Sequence, residues 1–209
     1  MKSGFFILEG VEAAGKTTQL RLIGSALGDL GYDVLASREP GGTAIGERIR
    51  AVLLDPGNEG TIQPLTSMLL FNASRRQWMH EVVEPALAAG KIVIGDRSFL
   101  STMAYQSYVE GLDPVFTREV CMRAMGGRMP DRIFLLDIPP EEIRRRLTKD
   151  AADKTSRYDV MDDAFHARVR EGYLAQRDVF PGLIERIDGA APPEEIARTI
   201  VGRMTDIMG

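Results

Sequence analysis

Nine consecutive residues carry the plainest chemistry in the chain: Gly10-Val11-Glu12-Ala13-Ala14-Gly15-Lys16-Thr17-Thr18. They fit the pattern G-x-x-x-x-G-K-[ST]. Glycines let the backbone turn tightly enough for several N–H groups to point at one phosphate, and a helix opening here aims its positive end at the same place. Lys16 is long enough to reach the β- and γ-phosphates of a nucleoside triphosphate, and the Thr17 hydroxyl suits Mg²⁺. The alternative is a glycine-rich turn that holds nothing, which leaves the Gly-Lys-Thr-Thr run unexplained. The loop alone does not separate a kinase from an ATPase or a GTPase. A GTPase would want an [NT]-K-x-D motif to read its base, and the sequence has none.

An acceptor must therefore be read from other polar residues. Asp96-Arg97-Ser98 and Arg38-Glu39-Pro40-Gly41-Gly42-Thr43 each follow a strand-like run. A guanidinium at a strand's carboxyl end can grip a phosphate with two parallel hydrogen bonds and stays charged at any working pH. The competing reading of Arg97 and Arg38 is an ordinary ion pair with Asp96 or Glu39. Asp96 would orient Mg²⁺ or a water on it, or else cap a loop. Phe71 and Arg75, four apart, share a helix face. A flat aromatic beside a planar donor can hold a pyrimidine, one by stacking and one by hydrogen bonding; otherwise Phe71 is core and Arg75 snorkels to water. Ser101 and Tyr105 repeat the spacing of four, with Gln106 next to them.

These residues need a frame. Apolar β-type runs over 4–8, 32–36, 91–94, 132–136 and 183–187 alternate with helical patterns over 16–29, 44–54, 64–88, 100–109, 114–125, 140–149, 161–179 and 193–207. Ile92-Val93-Ile94 and Ile133-Phe134-Leu135-Leu136 are continuously apolar, as strands covered on both faces are. The alternation predicts an α/β fold, a doubly wound five-stranded parallel sheet flanked by helices, with ligands at the carboxyl ends of the strands. The 209 residues fit one domain, 1–209. A net charge of -4 argues against non-specific nucleic-acid binding, though it leaves room for a local basic pocket. Cys121 is the only cysteine, which excludes an intrachain disulfide and points to a small buried hydrophobe. His80 and His166 have no metal-ligand spacing, and Trp78 reads as core or oligomer contact. No apolar run is long enough for a membrane span or a signal-peptide core, so a soluble cytoplasmic protein is expected.

Together the phosphate loop, Arg-Glu-Pro-Gly-Gly-Thr, Asp-Arg-x₄-Ser with Ala104-Tyr105-Gln106, and the Phe71/Arg75 pair resemble the thymidylate kinase family, P-loop enzymes that phosphorylate dTMP to dTDP. The resemblance runs from Phe5 to Asp188. It implies a P-loop NTPase-type fold, ATP and Mg²⁺, dTMP as acceptor, and a homodimer. It implies Lys16, Arg97, Asp96 and Glu12 at the reacting centre, with Glu12 touching the acceptor sugar and helping to align the donor. Arg38, Phe71, Arg75, Ser101, Tyr105 and Gln106 would line the acceptor site, Tyr105 beside the deoxyribose where bulk disfavours a 2′-hydroxyl. A lid falls roughly over 149–163, and Arg157 matches its arginine better than Lys149 or Lys154, whose ammonium lacks the fork that suits phosphate oxygens. The chain departs from the family at Ser98, where Tyr or His is usual and a smaller side chain would loosen the acceptor pocket, at Asn72-Ala73-Ser74, and at Ser156 before Arg157. Within Arg144-Arg145-Arg146, mostly a solvated face, the sequence does not single out a nucleotide contact. Two rivals remain: a deoxynucleoside kinase, which would want a carboxylate base instead of arginines around an acceptor phosphate, and a nucleotide-dependent switch, against which intact Lys16, Thr17, Asp96 and Arg97 argue.

Overall fold

The computed structural model describes residues 3–58, 60–149, 158 and 161–209. Arg157 and Lys154, and with them most of the lid expected over 149–163, lie outside the described residues. Five parallel strands form one sheet in the order β2-β3-β1-β4-β5: β1 (Gly4–Glu9), β2 (Val34–Arg38), β3 (Ile92–Asp96), β4 (Arg132–Asp137) and β5 (Ile184–Asp188). The central strand β1 is buried at every residue because helices cover both faces. Its side chains alternate: the Phe5 ring meets Trp78, while Phe6 stacks on Phe134 of β4. No helix of the described residues is long and apolar enough to cross a membrane.

Helices α1 (Lys16–Asp29) and α9 (Pro193–Met208) pack together. A second group contains α2 (Ala44–Leu54), α3 (Pro64–Trp78), α6 (Pro114–Ala124) and α8 (Asp163–Val179). Thr43 caps α2 by accepting from the Gly46 N–H at 2.9 Å, and Asp162 caps α8 through the Phe165 N–H at 2.8 Å. Further α-helices of the described residues are α4 (Glu84–Ala88), α5 (Phe99–Thr102) and α7 (Pro140–Lys149).

Two stretches read as uninterrupted helices are not. The span 64–88 is α3, a π-helical turn (Met79–Val83) and α4. Pro85 has no N–H to give and its ring would press on the preceding turn, so the helix widens just before it. The span 100–109 is the end of α5 followed by a π-helical segment (Met103–Val109). Strands β2 and β3 each run two residues past their apolar stretches, because the ladder continues through Ser37↔Gly95 and Arg38↔Asp96 whatever the side chains are. Arg38 and Asp96 are therefore the last residues of their strands, and Arg97 is the first beyond one.

Gly95 brings the helical layer down onto this edge. A Cβ there would lie 2.6 Å from Ile7 Cδ1 and 3.0 Å from Trp78 Cη2, both fully buried. Gly95→Ala should destabilise the fold by about 1–3 kcal/mol, the usual result of overpacking a filled core. Urea unfolding checks this, and a variant as stable as the parent would contradict it.

Candidate active site

The turn after β1 takes the shape its glycines allow. Gly10 (φ 149°) and Gly15 (φ 94°) adopt backbone angles foreign to L side chains, and Ala13 sits at φ 57°. A Cβ on Gly10 would come within 2.6 Å of the Leu136 carbonyl oxygen. Helix α1 then begins at Lys16 with no side-chain cap, which leaves its first N–H groups available to an anion. Lys16 is buried, and its Nζ donates to the Gly10 and Val11 carbonyls at 3.0 and 2.8 Å. Burial, with the nearby Arg97 cation, lowers Lys16 to about 8 against the pull of Asp96, Glu12 and Glu9. Thr17 and Thr18 are exposed at the mouth of the loop.

Beside this loop lies a knot of buried charge. Arg97 has a left-handed backbone (φ 70°), unusual for a residue with a side chain. Its Nη1 donates to the Gly10 carbonyl, Ser101 Oγ and Tyr173 OH at 3.0, 3.2 and 2.8 Å, and its Nη2 to Glu12 Oε1 at 2.9 Å. Glu12 Oε2 accepts from Tyr105 OH at 2.5 Å. Burial works to raise the Glu12 carboxyl, but Arg97 above all, with Lys16 and Tyr105, holds it far below the usual carboxylate range. Glu9, the last residue of β1, is fully buried. It accepts from the Ser98 N–H (2.7 Å), the Ser101 N–H and Oγ (3.2 and 2.8 Å) and Tyr173 OH (3.0 Å). Desolvation raises its carboxyl despite Arg97 and these bonds.

A cleft of about 270 Å³ opens from the knot. Its lining includes Glu12, Lys16, Phe71, Arg97, Ser101, Tyr105 and Gln106, so most of the acceptor residues expected from sequence come together. Arg75 and Arg38 are not on that lining. Arg75 is buried behind it, its guanidinium paired with Glu39 at 2.5 Å and donating to Asn72 Oδ1 at 2.6 Å, Thr102 Oγ1 at 3.0 Å and Cys121 Sγ at 3.7 Å. Burial pushes the Glu39 carboxyl up against the pull of Arg75. Glu39 and Thr102 do face the cleft. Arg38 is exposed and paired with Glu47 at 3.2 Å, and the second guanidinium lining the cleft is that of Arg50. Ser98 turns away, its hydroxyl donating to Met125 Sδ at 3.6 Å. Ser98 is not among the residues lining the cleft. Cys121 and Trp78 are core, as expected, and His80 is exposed.

A second hollow, formed by Ala13 to Thr18 and Arg146, adjoins the first, and Ala13 and Lys16 line both. Arg146 donates to the Ala13 and Gly189 carbonyls at 3.2 and 3.0 Å, which singles it out from Arg144 and Arg145. Asp96 Oδ1 is buried with no hydrogen-bond partner among the described residues, an arrangement suited to a cation or its water shell. Sequence reasoning missed Glu9, Tyr173, Arg50 and His166. Only Glu9 carried a signal, a carboxylate ending an otherwise apolar strand one residue before Gly10.

The thymidylate kinase family model matches residues 8–200. A thymidylate kinase of Nitratidesulfovibrio vulgaris (strain Miyazaki F) is 38% identical over 98% of this chain and 97% of its own. One from Caldanaerobacter subterraneus subsp. tengcongensis is 43% identical over 90% and 88%. The crystal structure of thymidylate kinase from Ehrlichia chaffeensis superposes with a TM-score of 0.78 at 26% identity, covering 98% of this chain and all of that one. The five-stranded sheet is thus of the P-loop NTPase type. With sequence, fold and the two adjoining hollows in agreement over nearly the whole length, the chain belongs to the thymidylate kinase family, whose members phosphorylate dTMP to dTDP with ATP.

Proposed function

We propose that the loop hollow takes the triphosphate of ATP, that the larger cleft takes dTMP, and that the phosphoryl group crosses where the two meet. The observation that carries this is the pair Ala13 and Lys16, common to both linings. An oxygen of the acceptor phosphate attacks the γ-phosphorus, the bond to the β–γ bridging oxygen breaks, and ADP leaves with that electron pair. No base is needed, because the acceptor phosphate is already an anion at neutral pH. The protein's part is placement and neutralisation of charge.

Lys16 exchanges its two loop carbonyls for β- and γ-oxygens, and the N–H groups from Gly10 to Thr18 cradle the phosphates. Arg97 grips the acceptor phosphate. Arg50 is the better-placed second cation, since Arg38 reaches the cleft only by giving up Glu47. Phe71 stacks on the thymine, and Arg75 acts on the polar wall the base meets through Glu39 and Thr102. Ser101, Tyr105 and Gln106 bound the sugar side, with Glu12 between donor and acceptor. Thr17 and the unpartnered Asp96 Oδ1 are the residues that would hold Mg²⁺, directly or through water. The chemistry a bound Mg²⁺ supplies there is neutralisation of β- and γ-phosphate charge. Arg157, outside the described residues, is the lid arginine that brings further positive charge.

One experiment on three variants tests this division. Lys16→Ala should weaken an ATP analogue at least roughly tenfold while dTMP affinity holds, as expected from losing a charge-assisted phosphate contact. Phe71→Ala should do the reverse, weakening dTMP by about 1–3 kcal/mol, the scale of base–aromatic stacking. Arg157→Ala should leave both affinities near the parent and lower kcat by on the order of 10³. Calorimetry and steady-state kinetics read these out. Equal losses of both ligands in the first two variants would dissolve the assignment.

We also propose a homodimer formed through α3 and α6, which pack side by side. Leu65 and Leu69 on α3 and Val115 and Phe116 on α6 are all exposed, Val115 by 62%. Apolar groups gathered this way mark an association surface. Sedimentation should give a dimer at micromolar concentration and a shift toward monomer for Leu69→Glu. A monomeric parent protein would refute it.

A further inference from the structure

Glu12 is held on two sides, by Arg97 from the turn after β3 and by Tyr105 from the π-helical segment. A third group approaches from another element. His166, in the first turns of α8, places Nδ1 3.7 Å from Glu12 Oε2. That is too long for a hydrogen bond. The ring is only 2% exposed, and neither of its nitrogens has a hydrogen-bond partner among the described residues. Leaving a buried imidazole unpartnered is costly, and native structures rarely tolerate it without a role for the group. Phe165 packs at 85° to the ring with centroids 5.7 Å apart, which constrains its orientation. The His166 N–H is tied to the Asp162 carbonyl at 3.2 Å, at the residue that caps α8. His166 is thus a side chain by which the start of α8 approaches the phosphate loop.

We propose that His166 is a positioning residue for phosphoryl transfer. With acceptor in the cleft, its Nδ1–H donates to Glu12 Oε2, closing the remaining gap and fixing the carboxylate from a third direction. The neutral tautomer protonated at Nδ1 is sufficient, so the imidazole neither gives up nor gains a proton in the reaction. The inference rests on the placement of Glu12 between donor and acceptor proposed above. It adds that α8 controls where that carboxylate points.

The test is a double-mutant cycle of His166→Phe with Glu12→Ala, with His166→Asn as the conservative variant because its amide can donate from nearly the position of Nδ1. Folding is checked by thermal melts. Should His166→Phe fail to fold, His166→Met replaces it, filling similar space with a flexible apolar chain. His166→Phe should lower kcat/KM for dTMP roughly tenfold, the usual size of a lost hydrogen bond to a charged group, with KM for ATP unchanged. His166→Asn should recover most of that loss. On the Glu12→Ala background, His166→Phe should add less than about twofold, since the two residues act through one contact. The inference is overturned if Glu12→Ala is impaired but the two losses multiply, or if His166→Asn is as poor as His166→Phe. A Glu12→Ala variant as active as the parent overturns the reading of Glu12 itself, and this inference with it.

Discussion

A guanidinium paired with one carboxylate and linked through two hydroxyls to a second, fully buried one is the constraint on which the site depends. Glu9 at the end of β1 and Glu12 in the loop both sit where water is largely excluded; Arg97 pairs with Glu12 at 2.9 Å and reaches Glu9 through the Ser101 and Tyr173 hydroxyls. Buried charge is stable only when every partner is in place, because removing one leaves another uncompensated at several kcal/mol. The cluster therefore forms as a unit. Arg97 accepts a left-handed backbone to take part, and the Ser98 and Ser101 N–H groups bonded to Glu9 hold the turn in that conformation. Strand β1, the phosphate loop, the turn after β3 and α8 are locked together through side chains of Glu9, Glu12, Arg97, Ser101 and Tyr173.

Two consequences for chemistry follow. The donor loop and the acceptor wall cannot drift apart, since Arg97 bonds the Gly10 carbonyl on one side and lines the cleft on the other. Positioning of this kind is most of what phosphoryl transfer asks of a protein when the nucleophile is already an anion. The cations are also poised unequally. Lys16 donates to two loop carbonyls and lies near 8, so a triphosphate has much to gain by taking their place. Arg97 is already tied to the loop and to Glu12 before any ligand arrives.

The parts legible in the sequence are those whose cause is local. Gly10 and Gly15 need their backbone angles, the apolar runs need burial, and the strand–helix alternation needs a parallel sheet. Phe71, Ser101, Tyr105 and Gln106 reach the cleft because short helical spacing carries over directly. What the chain hides is non-local. Arg75 reads as half of a surface-accessible pair with Phe71, yet Glu39, thirty-six positions earlier, draws it behind the wall. Tyr173 and His166 look like ordinary helix residues until α8 is laid against the loop. Arg146 differs from its two neighbours only in which way the helix turns it. The π-helical turns leave no mark in a pattern read at a period of 3.6, and Glu9 shows only as a carboxylate closing an apolar strand.

The most direct test of the account is the affinity of Arg97→Lys for dTMP and for thymidine, which share base and sugar and differ by one phosphate. Lysine keeps a positive charge beside Glu12 but cannot present the parallel donors that grip phosphate. The affinity for dTMP should fall at least roughly tenfold, the value of a bidentate charge-assisted contact, while thymidine affinity stays within about twofold. Equal weakening of the two ligands would mean that Arg97 only shapes the cleft. Unchanged binding of both would place the acceptor phosphate elsewhere.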